Sequence, residues 1–236
     1  MEGFQNVFIK PSYDEVRDLA YELFLKIRSS GYSEEVDVAL GRGGLFAMRA
    51  LQDYYVCAGR KVPYVVVSAE RYSGVGRESA KELRMSQLPA DDVKGKSVLV
   101  VDDVADTGTT LSRAVSACYK AGALKVMSAV IHLKPWSSYK PDFYAQKTDA
   151  WIIYPWNVYE TLRQMIEEMM QKGIAPSRAA EQLSGRANII PAEVRRLKDL
   201  ISFSGDSELV RYVDEVLNAY RGERGERGEN GGSARD

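Results

Sequence analysis

The apolar positions along this chain switch repeatedly between a helical and an extended rhythm. Val16, Leu19, Ala20, Leu23, Phe24 and Ile27 fall on one helical face. Ser12 and Glu15 frame its start as a capping box, and Gly31 ends it. Residues 36–40 then read as a short strand, followed by Gly41, Arg42, Gly43 and Gly44 and a helix through Leu45, Met48, Leu51 and Tyr55. Residues 61–69 form a second apolar strand, and residues 98–101 a β-branched run of the kind buried on both faces. Leu111, Ala114, Val115, Cys118 and Tyr119 mark the next helix, closed by Gly122. Residues 126–133 and 151–154 add two strands, the second stopped by Pro155. Strands alternating with helices predict an α/β fold with an open, mostly parallel sheet flanked by helices.

Beyond Tyr159 the extended rhythm disappears. Leu162, Met165, Ile166 and Met169 predict an amphipathic helix closed by Gly173. Three shorter helices follow, at about 177–184, 191–201 with Pro191 at its first position, and 206–220 with Asp206 as N-cap. Residues 221–236 repeat Arg-Gly-Glu and are expected to be disordered. The chain therefore divides into residues 1–160, a helical extension at 161–220, and a tail at 221–236. Residues 177–200 have some look of a helix-turn-helix. Their basic residues Arg178, Arg186, Arg195, Arg196 and Lys198 are offset by Glu181, Glu193 and Asp199, so packing or oligomerisation is the expected role.

Composition adds exclusions. With 236 residues, 45% hydrophobic and 28% charged, the chain suits one globular domain plus an appendage. A net charge of −1 gives no electrostatic footprint for nucleic acid, which is not expected as a partner. Cys57 and Cys118 stand apart without metal spacing, as in a reduced cytoplasmic protein. No signal-peptide core or bilayer-length apolar run occurs, so no membrane partner is expected.

The candidate chemistry concentrates at residues 98–110, V-L-V-V-D-D-V-A-D-T-G-T-T. Asp102, Asp103 and Asp106 gather at the C-terminal end of a buried strand, which is costly unless a cation or polyhydroxyl ligand sits there. Thr107, Gly108, Thr109 and Thr110 then open a helix whose first N–H groups suit an anion. One site for sugar hydroxyls and metal on one side, and phosphate on the other, is the expectation. The glycine-rich turn at Arg42 and Gly43 could bring backbone close to further phosphate oxygens. Residues 70–96 are polar and long for a connection, a candidate lid with Arg71, Tyr72, Arg77, Lys81 and Arg84 as donors. His132 lies inside a strand and reads as a packed core residue. Lys134 is placed by the Pro135-Trp136 break at the ligand-binding edge of the sheet. A lysine donates only, so it matches an acceptor on a ligand.

The run at 98–110 resembles the phosphoribosyl-pyrophosphate (PRPP) signature of type I phosphoribosyltransferases. Lys134-Pro135-Trp136, Pro141 to Phe143, and the W-I-I-Y-P-W run at 151–156 are similar to the 6-oxopurine members, of the xanthine-guanine type and its archaeal relatives. The likeness covers about residues 5 to 160. It implies a pentosyltransferase fold with a small hood at about 134–158, acting in purine salvage with Mg²⁺ as cofactor. PRPP and a purine base (hypoxanthine, guanine or xanthine) would be its partners, in a homo-oligomer, dimer or tetramer.

By the same resemblance, Arg42 and Gly43 form the pyrophosphate loop, with a cis bond expected between them. Asp102 and Asp103 hold the ribose hydroxyls, and Asp103 serves Mg²⁺. Asp106 with Thr107 to Thr110 wraps the 5-phosphate, and Asp106 is the catalytic group facing N7 of the purine. Lys134 donates to O6, Trp151 stacks on the base and the backbone of Ile152 meets its edge. Asn157 departs from an aspartate common in the family. An alternative function is a PRPP-sensing transcriptional regulator that uses the C-terminal helices on DNA.

Overall fold

The computed structural model describes residues 7–72, 82–85 and 88–228. The chain forms two compact units. One comprises residues 13–149, the other residues 1–12 with 150–236.

The larger unit is built on a sheet of strands β2 (Val36–Gly41), β3 (Tyr64–Tyr72), β4 (Glu82–Met85), β5 (Ser97–Ala105), β6 (Lys125–Leu133) and β7 (Phe143–Lys147). Their order is β4-β3-β2-β5-β6-β7, and all pairs are parallel except β3 with β4. Helices α1 (Tyr13–Ser29), α2 (Gly44–Cys57), α3 (Ala90–Val93) and α4 (Thr109–Lys120) lie in the connections. The expected α/β fold with a mostly parallel, helix-flanked sheet is thus observed. Val98, Leu99, Val100 and Val101 are wholly buried at its centre, which is why a continuous apolar run rather than an alternating one makes this strand. β5 pairs on one side with β2 and on the other with β6, so its C-terminal end opens at mid-sheet. Ligands bind at such ends in open α/β sheets.

Several boundaries differ from the sequence expectation. The polar stretch at 70–96 is no bare connection: β3 runs on to Tyr72 and the chain returns antiparallel as β4. Arg77 and Lys81 lie outside the described residues, as do the side chains of Arg71, Tyr72 and Arg84. Residues 153–154 do not extend the strand at Trp151, which is only two residues long.

The smaller unit pairs β1 (Phe8–Ile9) in parallel with β8 (Trp151–Ile152). Helices α5 (Val158–Gln171), α6 (Pro176–Ala187), α7 (Pro191–Ser202) and α8 (Ser207–Gly228) complete it. Leu162, Ile166, Met169, Leu183, Val194, Leu209 and Val213 form its core. Asp206 caps α8, accepting from the Leu209 N–H at 3.0 Å. α8 continues to Gly228, past Tyr220, where the sequence suggested the start of an unfolded tail. Arginine and glutamate are good helix formers, and they carry the helix through the glycines of the repeat.

Candidate active site

The C-terminal ends of β2 and β5 frame a cleft of about 250 Å³, lined by Arg42, Gly43, Asp102, Asp103, Asp106, Thr107, Gly108 and Thr110 among others. Eight of the nine residues that the resemblance assigns to PRPP therefore meet in one cavity; Thr109 does not line it directly. Thr109 belongs to the turn itself, where its N–H and hydroxyl both lie within bonding distance of the Thr107 hydroxyl, at 3.4 and 3.2 Å.

Close backbone approach shapes this cleft. A side chain at Gly43 would overlap the Asp103 carboxylate. A Cβ on Gly44 would come 2.5 Å from the Val101 carbonyl oxygen, so the start of α2 rests on β5. Gly108 has φ +80, where L side chains are strained, and a Cβ there would meet Ser137 Oγ and the Tyr139 N at 2.6 Å each. These three glycines let two strand-to-helix turns and the loop after β6 converge.

A cis peptide bond lies between Gly41 and Arg42, one bond earlier than expected. Gly43 already has helical dihedrals (φ −63, ψ −42), and its carbonyl accepts from the Phe46 N–H at 3.0 Å. Arg42 and Gly43 form the turn itself, and the Arg42 carbonyl accepts from the Leu45 N–H at 3.3 Å.

Asp102 Oδ1 accepts from the Asp103 N–H at 2.9 Å. Burial, and then the neighbouring Asp103 charge, push the Asp102 carboxyl well above the usual carboxylate range. Asp102 and Asp103 are hard oxygen donors side by side in a cleft. Among the described residues no three acidic, histidine or cysteine side chains converge as a preformed metal cage. Two carboxylates completed by substrate oxygens and water fit Mg²⁺, which dehydrates reluctantly and seldom uses an all-protein cage.

The loop after β6 packs against the acidic turn, and none of its described residues lines the cleft. The Lys134 N–H donates to the Ala105 carbonyl at 3.0 Å, and Ser138 donates to the Thr107 carbonyl from N–H (3.0 Å) and hydroxyl (2.7 Å). Lys134 is buried, 7% exposed, and its ammonium lies 5.4 Å from the centre of the Trp136 ring. Burial pushes its pKa down, while Asp106 and Asp149 act in the opposite sense. The indole N–H of Trp136 donates to Asp106 Oδ1 at 2.9 Å. Trp136 was not among the expected site residues. The signal was only its place one proline after Lys134.

His132 is a core residue, as expected. It is buried, lies 3.2 Å from Gln146 Oε1 through Nε2, and burial pushes its pKa down to about 4. The remaining predicted base contacts belong to the smaller unit. There Trp151 is 47% exposed and its N–H donates to Val7, while Ile152 is buried. In the same unit the Asn157 side-chain oxygen is buried, with no hydrogen-bond partner among the described residues.

A parallel sheet with an acidic turn, a glycine loop and a threonine-rich helix start at mid-sheet defines an open α/β protein with a cleft at the C-terminal ends of its strands. The family comparison agrees: residues 7–161 match the phosphoribosyl transferase domain, and the chain belongs to that family. Xanthine phosphoribosyltransferase 1 of Saccharomyces cerevisiae is 27% identical over 183 residues, covering 62% of this chain and 88% of that protein. A ribose-phosphate pyrophosphokinase of Saccharolobus solfataricus is 37% identical over 71 residues, 30% of this chain and 23% of that one. The chain thus spans under a quarter of the length of such pyrophosphokinase relatives. Among solved structures, a purine phosphoribosyltransferase from Pyrococcus horikoshii OT3 superposes with a TM-score of 0.54 at 29% identity, over 63% of this chain and 93% of that one.

Proposed function

We propose that this protein transfers the 5-phosphoribosyl group from PRPP to a 6-oxopurine base, releasing pyrophosphate. The observation that carries the reading is the single cleft in which Arg42 and Gly43 face Asp102, Asp103, Asp106 and the threonine turn. Similarity to xanthine and purine phosphoribosyltransferases supports a purine as the acceptor.

In the reaction the bond from C1 of the ribose to the pyrophosphate oxygen breaks as a purine nitrogen bonds to C1. Positive charge develops at C1, so catalysis rests on positioning and electrostatics. Arg42 meets the leaving pyrophosphate with charge and adjoining backbone donors. Asp102 and Asp103 hold the ribose hydroxyls. Asp103 would hold Mg²⁺, which would offset phosphate charge. Thr107 to Thr110 hold the 5-phosphate through N–H and hydroxyl groups. Asp106 accepts the proton at N7 of the purine as the new bond forms. Lys134 donates to O6, and the family resemblance gives Trp151 a stacking role and Ile152 a backbone contact with the base.

The test is a panel of purine bases incubated with PRPP and Mg²⁺, with nucleotide and pyrophosphate measured and Asp106→Asn as control. Turnover with hypoxanthine, guanine or xanthine and none with adenine is expected. No turnover with any base would overturn the assignment. Lys134→Ala is expected to lower kcat/KM for 6-oxopurines about 100-fold, as for a lost buried charged hydrogen bond, and to erase discrimination against adenine. A variant that still rejected adenine fully would remove Lys134 from base recognition. A DNA-binding role for α6 and α7 gains no support, since Arg178 and Lys198 are ion-paired with Glu181 and Asp214. The reading puts the activity in the cytoplasm, where Cys57 and Cys118 stay reduced. Among the described residues no helix is long and apolar enough to cross a membrane.

A further inference from the structure

We infer that Trp136 is a positioning residue that sets the carboxylate of Asp106 and the ammonium of Lys134 as one unit at the base end of the cleft. The inference rests on the proposed roles of those two residues.

Three observations carry it. The indole Nε1–H donates to Asp106 Oδ1 at 2.9 Å. The same ring lies 5.4 Å from Lys134 Nζ, within reach of a cation–π contact. The backbone beneath the ring is fixed, because the Lys134 N–H bonds to Ala105, Ser137 N–H to the Lys134 carbonyl, and Ser138 to Thr107. Trp136 is itself 56% exposed, so packing alone does not account for a large aromatic side chain there.

The chemistry follows from the inventory of donors. Asp106 is a short side chain at an exposed turn and could rotate freely about χ1 and χ2. A neutral indole has one N–H and no acceptor, so it can occupy one carboxylate oxygen and take no proton from it. With Oδ1 engaged, Oδ2 is left to accept the purine proton, and the rotamer is set before substrate arrives. The face of the same ring, negative in its quadrupole, lies beside the buried ammonium of Lys134. One side chain thereby touches both an acceptor, Asp106, and a donor, Lys134. A protein group that accepts at N7 beside one that donates to position 6 suits a 6-oxopurine; adenine has the same spacing but presents an amino donor there.

The experiment compares Trp136→Phe and Trp136→Ala in the wild-type and Asp106→Asn backgrounds, by steady-state kinetics with a 6-oxopurine and PRPP. Trp136→Phe keeps a ring beside Lys134 and loses only the N–H. It is expected to lower kcat about tenfold, the lower end for a hydrogen bond to a charged group, with KM for PRPP unchanged. Trp136→Ala, which also uncovers Lys134, should in addition raise KM for the base. In the Asp106→Asn background Trp136→Phe should cost nothing further, because its effect runs through the carboxylate. Equal losses from Trp136→Phe in both backgrounds would reduce Trp136 to a structural role and overturn the inference. So would wild-type kcat in Trp136→Phe. Absence of turnover in the wild-type protein itself would instead remove the proposed function, and this inference with it.

Discussion

Gly43 is the residue at which the glycine turn and the acids of the candidate site meet. Its missing side chain is where the Asp103 carboxylate lies, so Gly43→Ala must displace either the loop or the acid. The position is in a helical conformation that alanine adopts readily, so backbone strain does not enter. The cost should therefore fall on activity rather than on folding. Gly43→Ala is expected to lower kcat/KM for PRPP by ~100-fold, the scale of an ångström-sized misplacement of a catalytic group. Its melting temperature should stay within a few degrees of wild type. Kinetics and circular-dichroism melts on the same preparation check this, and a variant with wild-type kcat/KM would show that Asp103 and the loop do not act together. Gly108 differs in kind. It combines φ +80 with contacts to Ser137 and Tyr139, so alanine there would harm the turn itself.

At the level of elements, β2 holds a feature unrelated to the cleft. Asp37 is wholly buried, with one oxygen accepting from Gln52 at 2.8 Å and the other without a hydrogen-bond partner among the described residues. Glu34 is buried nearby and tied to Arg60 at 2.7 Å, and Tyr55 from α2 packs in the same place. Burial, and then the Glu34 charge, raise the Asp37 pKa to about 8, while Gln52 and Arg60 act against this. An unfolded aspartate loses its proton near pH ~4. Between these values the folded chain binds more protons than the unfolded one, so stability falls as pH rises and the loss is complete above about 8. Asp37→Asn keeps the Gln52 bond and removes the titration. The variant should melt above wild type at pH 8.5, with the gap narrowing toward pH 5. Parallel stability curves across that range would sink this account.

Much of the larger unit could be read along the chain, because its signals are local. The cleft-forming run at 98–110 is contiguous, and the buried strand that opens it announces itself by an unbroken apolar run, Val98 to Val101. Asp37 could not be read in the same way. Alternation of valine and aspartate looks like a half-exposed strand, and only the cover supplied by α2 and the Glu34–Arg60 pair makes the acid a buried one. The contact from Trp136 to Asp106 joins residues thirty apart through two separate loops, which no periodicity encodes.

On the scale of the whole chain, the least legible fact is that the N-terminal segment belongs with the C-terminal helices. The loss of the extended rhythm suggested a boundary near residue 160, yet the described residues before Tyr13 group with those from Ala150 onward. The reason is a set of long-range contacts made by very few residues. The Val7 and Ile9 carbonyls accept from the N–H groups of Trp151 and Ile153, at 2.7 and 2.8 Å. Phe8 packs on the helical core. Lys10 pairs with Glu193 at 2.6 Å and donates to the Asn188 carbonyl at 3.0 Å, which ties it to the turn between α6 and α7. That turn needs support, since Asn188 sits at φ 51. Removing residues 1–10 deletes two ladder hydrogen bonds, one aromatic contact and one half-buried ion pair. Together these predict a loss of about 3 kcal/mol in the smaller unit. Amide exchange in α6, α7 and α8 should then quicken by about two decades where it proceeds through opening of that unit. Lys10→Ala alone should produce a smaller acceleration, centred on the α6–α7 turn. Unchanged exchange in these helices after removal of residues 1–10 would mean that the helical core stands without its N-terminal strand.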